Sequence, residues 1–405
     1  MESLRELYKV GPGPSSSHTI APWKAAMLFK EAFPDAVSFD AELYGSLSLT
    51  GKGHFTDQII IQSFAPKMCK VYFRLNWEHL YDNGLIYKAY DERNNLIGLW
   101  TVFSLGGGSI KVLETDFDFQ RTVYPYEDYE SVAKDCKNLH LSLPGLIKFY
   151  EPDIDRYLEM ILESMLKAVK RGLDRTGTLP GLLEVNRIAK SLYLQAESQD
   201  SESSRNRLKI LSYAYANNEE NASGGMVVTA PTCGSSGVMA ALMYHFYYDL
   251  GYSKQKLVQA LMVGGMFGNI VKRNATISGA VGGCQAEIGT ACSMAAAATA
   301  YLRDLSLKQI ETAAEIAMEH HLGLTCDPVG GYVIIPCIER NGAAALRALD
   351  AAFMAEHLSV VKESKVSFDM VVRTMNYTGK KIVLELRETA LGGLATELRI
   401  ESIKK

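Results

Sequence analysis

Three cysteines stand where a glycine- or proline-marked loop meets a predicted helix: Gly282-Gly283-Cys284-Gln285, Leu324-Thr325-Cys326-Asp327-Pro328 and Ile335-Pro336-Cys337-Ile338. Thiolates so placed can converge on a metal while backbone amides point inward, and three protein ligands leave one coordination position open. A metal with an open position acts on a substrate as a Lewis acid rather than serving as a structural staple. None of the three has CxxC spacing, which argues against a zinc ribbon or a thioredoxin-like motif. The competing reading is a scatter of buried thiols, and the residues alone leave both open. Among the remaining cysteines, Cys292 lies in an alanine-rich helical run and reads as core filling. Cys69 and Cys136 read as structural. Cys233 opens a helix within Pro231-Thr232-Cys233-Gly234-Ser235-Ser236-Gly237, a position that lowers a thiol's pKa.

Other segments offer hydroxyls, imidazoles and cations. Gly11-Pro12-Gly13-Pro14-Ser15-Ser16-Ser17-His18-Thr19 precedes a helical pattern over about 20–33. Hydroxyls and an imidazole at a helix mouth can receive a carboxylate, because orphan N–H groups and the helix dipole favour an anion there. Capping needs one short polar side chain, so the surplus of serines and His18 exceeds what an N-cap explains. Tyr44 to His54 reads as a strand followed by a glycine-spaced turn presenting Lys52 and His54, or else as an ordinary exposed turn. From Gly268 to Ala280 a helix end runs into the loop before Cys284. Lys272, Arg273, Asn274 and Ser278 there are candidates for holding a substrate's carboxylate and amine; the alternative is cations meeting a helix C-terminus. His320 and His321 are adjacent on a helix and face different directions, so they serve as local support, one of them bonded to a sulfur.

These groups need a scaffold, and the pattern of that scaffold changes near residue 150. Before it, alternating segments at 39–44, 58–61 and 70–74 read as strands broken by glycine turns. After it, helical periodicity runs through 154–173, 238–250, 254–274, 284–305, 307–322 and 338–357. The expectation is an α+β N-terminal domain over 1–150 followed by an all-α helical domain over 151–405, with the boundary in 142–153. The polar stretch 197–204 reads as an exposed loop inside the helical domain.

With 405 residues the chain can bury a large core. A formal charge of -4 excludes a basic field, so nucleic acid and anionic membrane surfaces are not expected partners. No apolar stretch reaches the length of a membrane span, and the charged first residues lack a signal-peptide core. Seven cysteines without a regular framework fit a reducing cytoplasm.

Laid side by side, these segments resemble the iron-sulfur L-serine dehydratases of bacteria, in the single-chain form with beta and alpha domains. The likeness rests on Gly13 to Thr19, Asn218-Glu219-Glu220-Asn221-Ala222-Ser223-Gly224-Gly225, Asn274 to Ala280, Gly283-Cys284-Gln285-Ala286-Glu287, Met318 to Val329, Pro336-Cys337-Ile338-Glu339-Arg340-Asn341 and Arg387 to Ala395. The resemblance implies a four-iron, four-sulfur (4Fe-4S) cluster on Cys284, Cys326 and Cys337, with the fourth iron free for substrate. It implies elimination from L-serine to pyruvate and ammonia, with His18 or His54 as the base. Lys272 would orient the substrate, bound through Ser15, Ser16, Ser17, Thr19, Asn274 and Ser278. A cytoplasmic homodimer acting on a small amino acid goes with it.

Two features depart from the pattern. No cysteine follows Cys337, whereas members often end in a cysteine-containing tail, and Cys233 and Ser236 stand where many members carry Asn and Cys. Pyridoxal phosphate is not expected, since Gly106-Gly107-Gly108-Ser109 is the one tempting glycine run and Lys111 its one lysine neighbour. The rival functions are a lyase acting on L-cysteine or L-threonine and a non-catalytic iron-sulfur sensor of amino acids.

Overall fold

The computed structural model describes residues 1–78, 81, 83–117 and 122–398; the cysteine-free stretch 399–405 lies outside them. Among the described residues the strands are β1 (Val10–Pro12), β2 (Ser38–Tyr44), β3 (Met68–Phe73), β4 (Gly84–Tyr90), β5 (Leu96–Gly106), β6 (Ser109–Val112) and β7 (Met226–Val228). Five of them form one sheet in the order β3-β2-β4-β5-β6. The β2–β3 pair is parallel, joined through the Thr56–Phe64 helix, and the other neighbours are antiparallel. Burial alternates along β2 with Phe39, Ala41 and Leu43 inward, as a sheet covered on one face requires. That face packs against the Ala21–Ala32 and Thr56–Phe64 helices around Phe29, Phe39, Phe64, Tyr87 and Trp100. Phe29 is fully buried, so truncating it to Ala would cost about 3–5 kcal/mol.

The isoleucine run at 58–61, expected as a strand, is helical. Its buried positions Thr56, Ile59, Ile60, Ser63 and Phe64 fall three and four apart, a helical stripe that a four-residue window of β-branched residues conceals. Lys52 and His54 likewise follow a short helix, Ser46–Leu49, rather than a strand.

The rest is mostly helical. Lys254–Asn274 and Thr290–Leu302 lie side by side, and their backbones come close enough that a Cβ on Gly264 would sit 2.7 Å from the Met294 carbonyl oxygen. The alanines at 295–298 make that approach possible, since all are fully buried. One continuous core runs from Tyr124 to Met375 through these helices. It begins earlier than the 142–153 stretch, because the Tyr129–Asn138 and Leu143–Tyr150 helices turn Tyr129, Val132, Leu146 and Ile147 into it. The 197–204 stretch joins the Ala189–Glu197 and Glu202–Ala222 helices.

Residues 1–12 do not join the sheet. Leu4, Leu7 and Tyr8 are buried in the helical core, Tyr8 donates to the Leu261 carbonyl at 3.0 Å, and β1 pairs antiparallel with β7. The chain therefore starts in one core and crosses to the other through 13–20, which leaves the Ser15–His18 turn at the seam. Among the described residues, no helix is long and apolar enough to cross a membrane.

Candidate active site

At the seam, one cavity is lined by Pro14, Ser15 and His54 from the first part of the chain and by Cys284, Glu287, Cys326, Cys337 and Glu388 from the helical body. Cys284 follows Gly283, whose φ of 74° turns the backbone in a way that side-chain-bearing residues resist. The loop is held by Gln285: its N–H donates to the Leu324 carbonyl at 3.1 Å, and its Oε1 accepts from the Gly323 N–H at 2.9 Å. Cys326 does not open a helix. It lies in an extended stretch, its N–H donating to the Leu386 carbonyl at 2.8 Å and its carbonyl accepting from the Glu388 N–H at 2.7 Å. Cys337 is the first residue of the Cys337–Val361 helix.

A sulfur of Cys284, one of Cys326 and a carboxylate oxygen of Glu287 lie within 4.8 Å of one another, and Cys337 lines the same cavity. The neighbouring Cys326 thiol and the Arg340 guanidinium hold Cys284 below the usual thiol range. Its neighbour Cys284 pushes Cys326 well up, and burial pushes Cys337 up. Arg340 stands one turn beyond Cys337 on the same helix face, where it also donates to the Thr325 carbonyl at 2.6 Å and to Asp327 at 3.3 Å. A soft sulfur donor set with one fixed cation beside it suits a thiolate-ligated iron-sulfur group. The lining leaves about 20 Å³ wide enough for a water molecule.

Facing the thiols is an imidazole pair. His18 and His54 stack with ring centroids 4.3 Å apart and an interplanar angle of 21°. His18 is used up on both sides: Nδ1 meets Ser15 Oγ at 3.2 Å, while Nε2 meets the Ser46 carbonyl at 3.2 Å and Thr50 Oγ1 at 2.8 Å. His54 is not. Its Nδ1–H donates to the Thr50 carbonyl at 3.0 Å, and its buried Nε2 has no partner. Burial lowers the pKa of both rings, so His54 stays neutral with the Nε2 lone pair in the cavity. Glu388 completes this side, one carboxylate oxygen lying within 4.8 Å of ring nitrogens of both histidines. It occupies a left-handed backbone conformation, φ 60°, which glutamate rarely adopts. Burial first, then Glu287 and Cys284, push its carboxyl up to about 8, against a hydrogen bond from the Ala280 backbone.

The other sequence candidates divide. Ser15 caps the Ser16–Ile20 π-helical turn, accepting from the His18 N–H, and lines the cavity; Ser16 is buried in the same turn. Ser17 accepts from Ser104 through its carbonyl, and Thr19 donates to the Pro12 carbonyl at 2.7 Å, so both brace the turn. Asn221 holds it from behind through a 2.9 Å bond to the Pro14 carbonyl. Lys272, Asn274 and Ser278 do not join the thiols. Lys272 donates to Glu2 at 2.5 Å and Asn274 to the Glu127 carbonyl at 2.7 Å. Lys272 and Ser278 line a separate cavity of about 430 Å³ between the helical body and the first residues of the chain.

Cys292 donates to the Ala344 carbonyl at 3.3 Å in the alanine core, and Cys233 packs under Ile20. Cys69 and Cys136 are buried in the sheet and helical cores. His320 and His321 bond the carbonyls of Ile316 and Ala317 through Nδ1 rather than a sulfur, because the helix end supplies the nearer acceptors. The glycine run 106–108 is the turn between β5 and β6, and Lys9 donates to it, bonding the Gly107 carbonyl and Ser109 Oγ. Glu287, Arg340 and Glu388 carry no chemistry that the sequence assigns. All three stand inside the motifs quoted above, but a buried carboxyl's partners depend on distant segments.

Two packed cores meet at a cavity that sets a neutral imidazole and a set of thiols together from distant parts of the chain, the kind of site an enzyme builds. The family models agree on which enzymes these are. That for the serine dehydratase beta chain matches residues 3–72, and that for the serine dehydratase alpha chain matches 76–395. The chain belongs to the serine dehydratase family. It is 37% identical to the L-serine dehydratase of Haemophilus influenzae, covering 98% of this chain and 99% of that one. It is 38% identical to L-serine dehydratase 2 of Escherichia coli, with the same coverage. The L-serine dehydratase of Streptomyces coelicolor is 38% identical, again over 98% and 99%.

Proposed function

We propose that the protein is an L-serine dehydratase, converting L-serine to pyruvate and ammonia with a 4Fe-4S cluster held by Cys284, Cys326 and Cys337. The observation that carries this reading is the single cavity shared by the three cysteines and the unpartnered Nε2 of His54. The relatives' names support the substrate, and the thiol donor set supports the cofactor.

Serine's α-proton is weakly acidic and hydroxide leaves poorly, so both ends of the Cα–Cβ bond need help. When bound, the cluster supplies a Lewis-acidic iron for the β-hydroxyl. His54 takes the α-proton at Nε2, its tautomer fixed by the Nδ1–H bond to the Thr50 carbonyl. His18, bonded at both nitrogens, holds the His54 ring by stacking and keeps it from turning. The Ser15 hydroxyl and the turn behind it orient the substrate carboxylate, which converts binding into alignment. Aminoacrylate leaves the site, tautomerises and hydrolyses to pyruvate and ammonia. The same reading puts the protein in the cytoplasm, where seven free thiols persist, as a homodimer that light scattering would size.

Anaerobic reconstitution with iron and sulfide, followed by assay of L-serine, L-threonine and L-cysteine, tests the reading. Pyruvate from L-serine at the highest kcat/KM is expected. Preference for either other amino acid would reassign the substrate, and no turnover with any would overturn catalysis in favour of sensing.

A further inference from the structure

The two carboxyls of the cavity, both half-buried, fall in different side-chain groups. Glu287 is grouped with Cys284 and Cys326, and its Oε1 accepts from Thr232 Oγ1 at 2.6 Å. Glu388 is grouped with His18 and His54, and among the described residues no lysine or arginine forms an ion pair with it. In a β-elimination the base must reach the hydrogen on Cα while the β-hydroxyl points to the metal. The amine is carried by that same Cα, so the group that receives it must stand beside the base. Glu388 meets that condition and Glu287 does not.

We infer that Glu388 is the residue that receives the α-ammonium group of the substrate, and so selects amino acids over hydroxy acids. This rests on the serine dehydratase reading. The strap that carries Glu388 is built to hold it there. Its N–H donates to the Cys326 carbonyl, and further along the strap the N–H of Leu394 donates to Asp327 at 2.8 Å. Gly393, with φ 63°, lies so close to Asp327 that an added Cβ would stand 2.2 Å from Oδ2. A left-handed glutamate in a strap pinned on both sides is a side chain aimed at a task, since such conformations persist only where surrounding structure imposes them.

Two ligands separate the groups of serine: L-alanine keeps the amine without the hydroxyl, and 3-hydroxypropionate keeps the hydroxyl without the amine. Calorimetric titration of the reconstituted enzyme with each should show Glu388→Gln losing about tenfold or more in affinity for L-alanine. Its affinity for 3-hydroxypropionate should stay within about twofold, which also reports an intact fold. Glu388→Asp, whose side chain tolerates φ 60° better and keeps the carboxyl group, should recover part of the L-alanine affinity. In turnover, the KM for L-serine should rise more than kcat falls. Unchanged L-alanine binding in Glu388→Gln, or equal losses for both ligands in both variants, would overturn the assignment. Wild-type enzyme that fails to turn over L-serine at all would instead overturn the underlying reading.

Discussion

The molecule has two cavities rich in the residue types that sequence picks out, and they differ in what their polar groups lack. The roomier one, about 430 Å³, holds Lys272, Arg273, Asn269 and Ser278, but its lysine is paired with Glu2, its arginine with Glu127, and its asparagine with the Glu2 carbonyl. The narrow one holds an unpartnered imidazole nitrogen, a set of thiols and, among the described residues, a carboxyl without an ion-pair partner. Room is therefore a poor guide here. A site is recognised by bonding capacity that folding leaves unused, because a structure tolerates a buried polar group without a partner only where something else selects for it.

The sharpest way to test that contrast is at the sulfurs. Cys284→Ser, Cys326→Ser and Cys337→Ser should each abolish the brown chromophore of reconstituted protein and its turnover, while Cys292→Ser, bonded to Ala344 in the core, keeps both. Colour lost from Cys292→Ser alone would move the ligand set. Next comes the imidazole wall, where His54→Gln should lower kcat by ~10²–10⁴, the usual worth of a positioned base. The pH profile sharpens this. Burial lowers the His54 pKa below 6.5, so the neutral base survives further into acid, and the acid limb of kcat/KM should fall below pH 6.5. A limb above about pH 7 would point to another group.

A smaller effect is expected behind the serine turn. Gly13→Ala would place a Cβ 2.3 Å from the Asn221 carbonyl oxygen, displacing Ser15, and a shift of that kind can cost up to ~100-fold in kcat. Lys272→Met should do least. With its lysine engaged by Glu2 and the Glu6 carbonyl, KM for L-serine should stay within about twofold, and melting should fall by only about 1 °C if about 1 kcal/mol is lost. A tenfold rise in KM would show that the two cavities work as one.

The sequence reveals most where local pattern and burial coincide. The 254–274 helix is legible to the residue because its apolar positions, its Ser253 cap and its C-terminal cations agree. The thiols are legible because glycine and proline mark the loops that carry them. The 58–61 run is misread because four residues are fewer than the period needed to separate helix from strand. Lys272 shows the weakness of proximity along the chain: it stands shortly before Cys284, yet the helix end turns it onto residues 2–6. Glu388 is out of reach for the opposite reason, since the strap that presents it is defined by bonds to Cys326 and Asp327, far earlier in the chain.

That strap has a consequence for how the protein comes into being. His18 and His54 leave the ribosome early, and the stretch that clamps Cys326 leaves late, so a growing chain carries its thiols unclamped until residues 384–394 emerge. Under the proposed cluster assignment, insertion of the inorganic core is deferred to a polypeptide that has already made both hydrophobic interiors, and chains that stall short of this stretch should be left without metal.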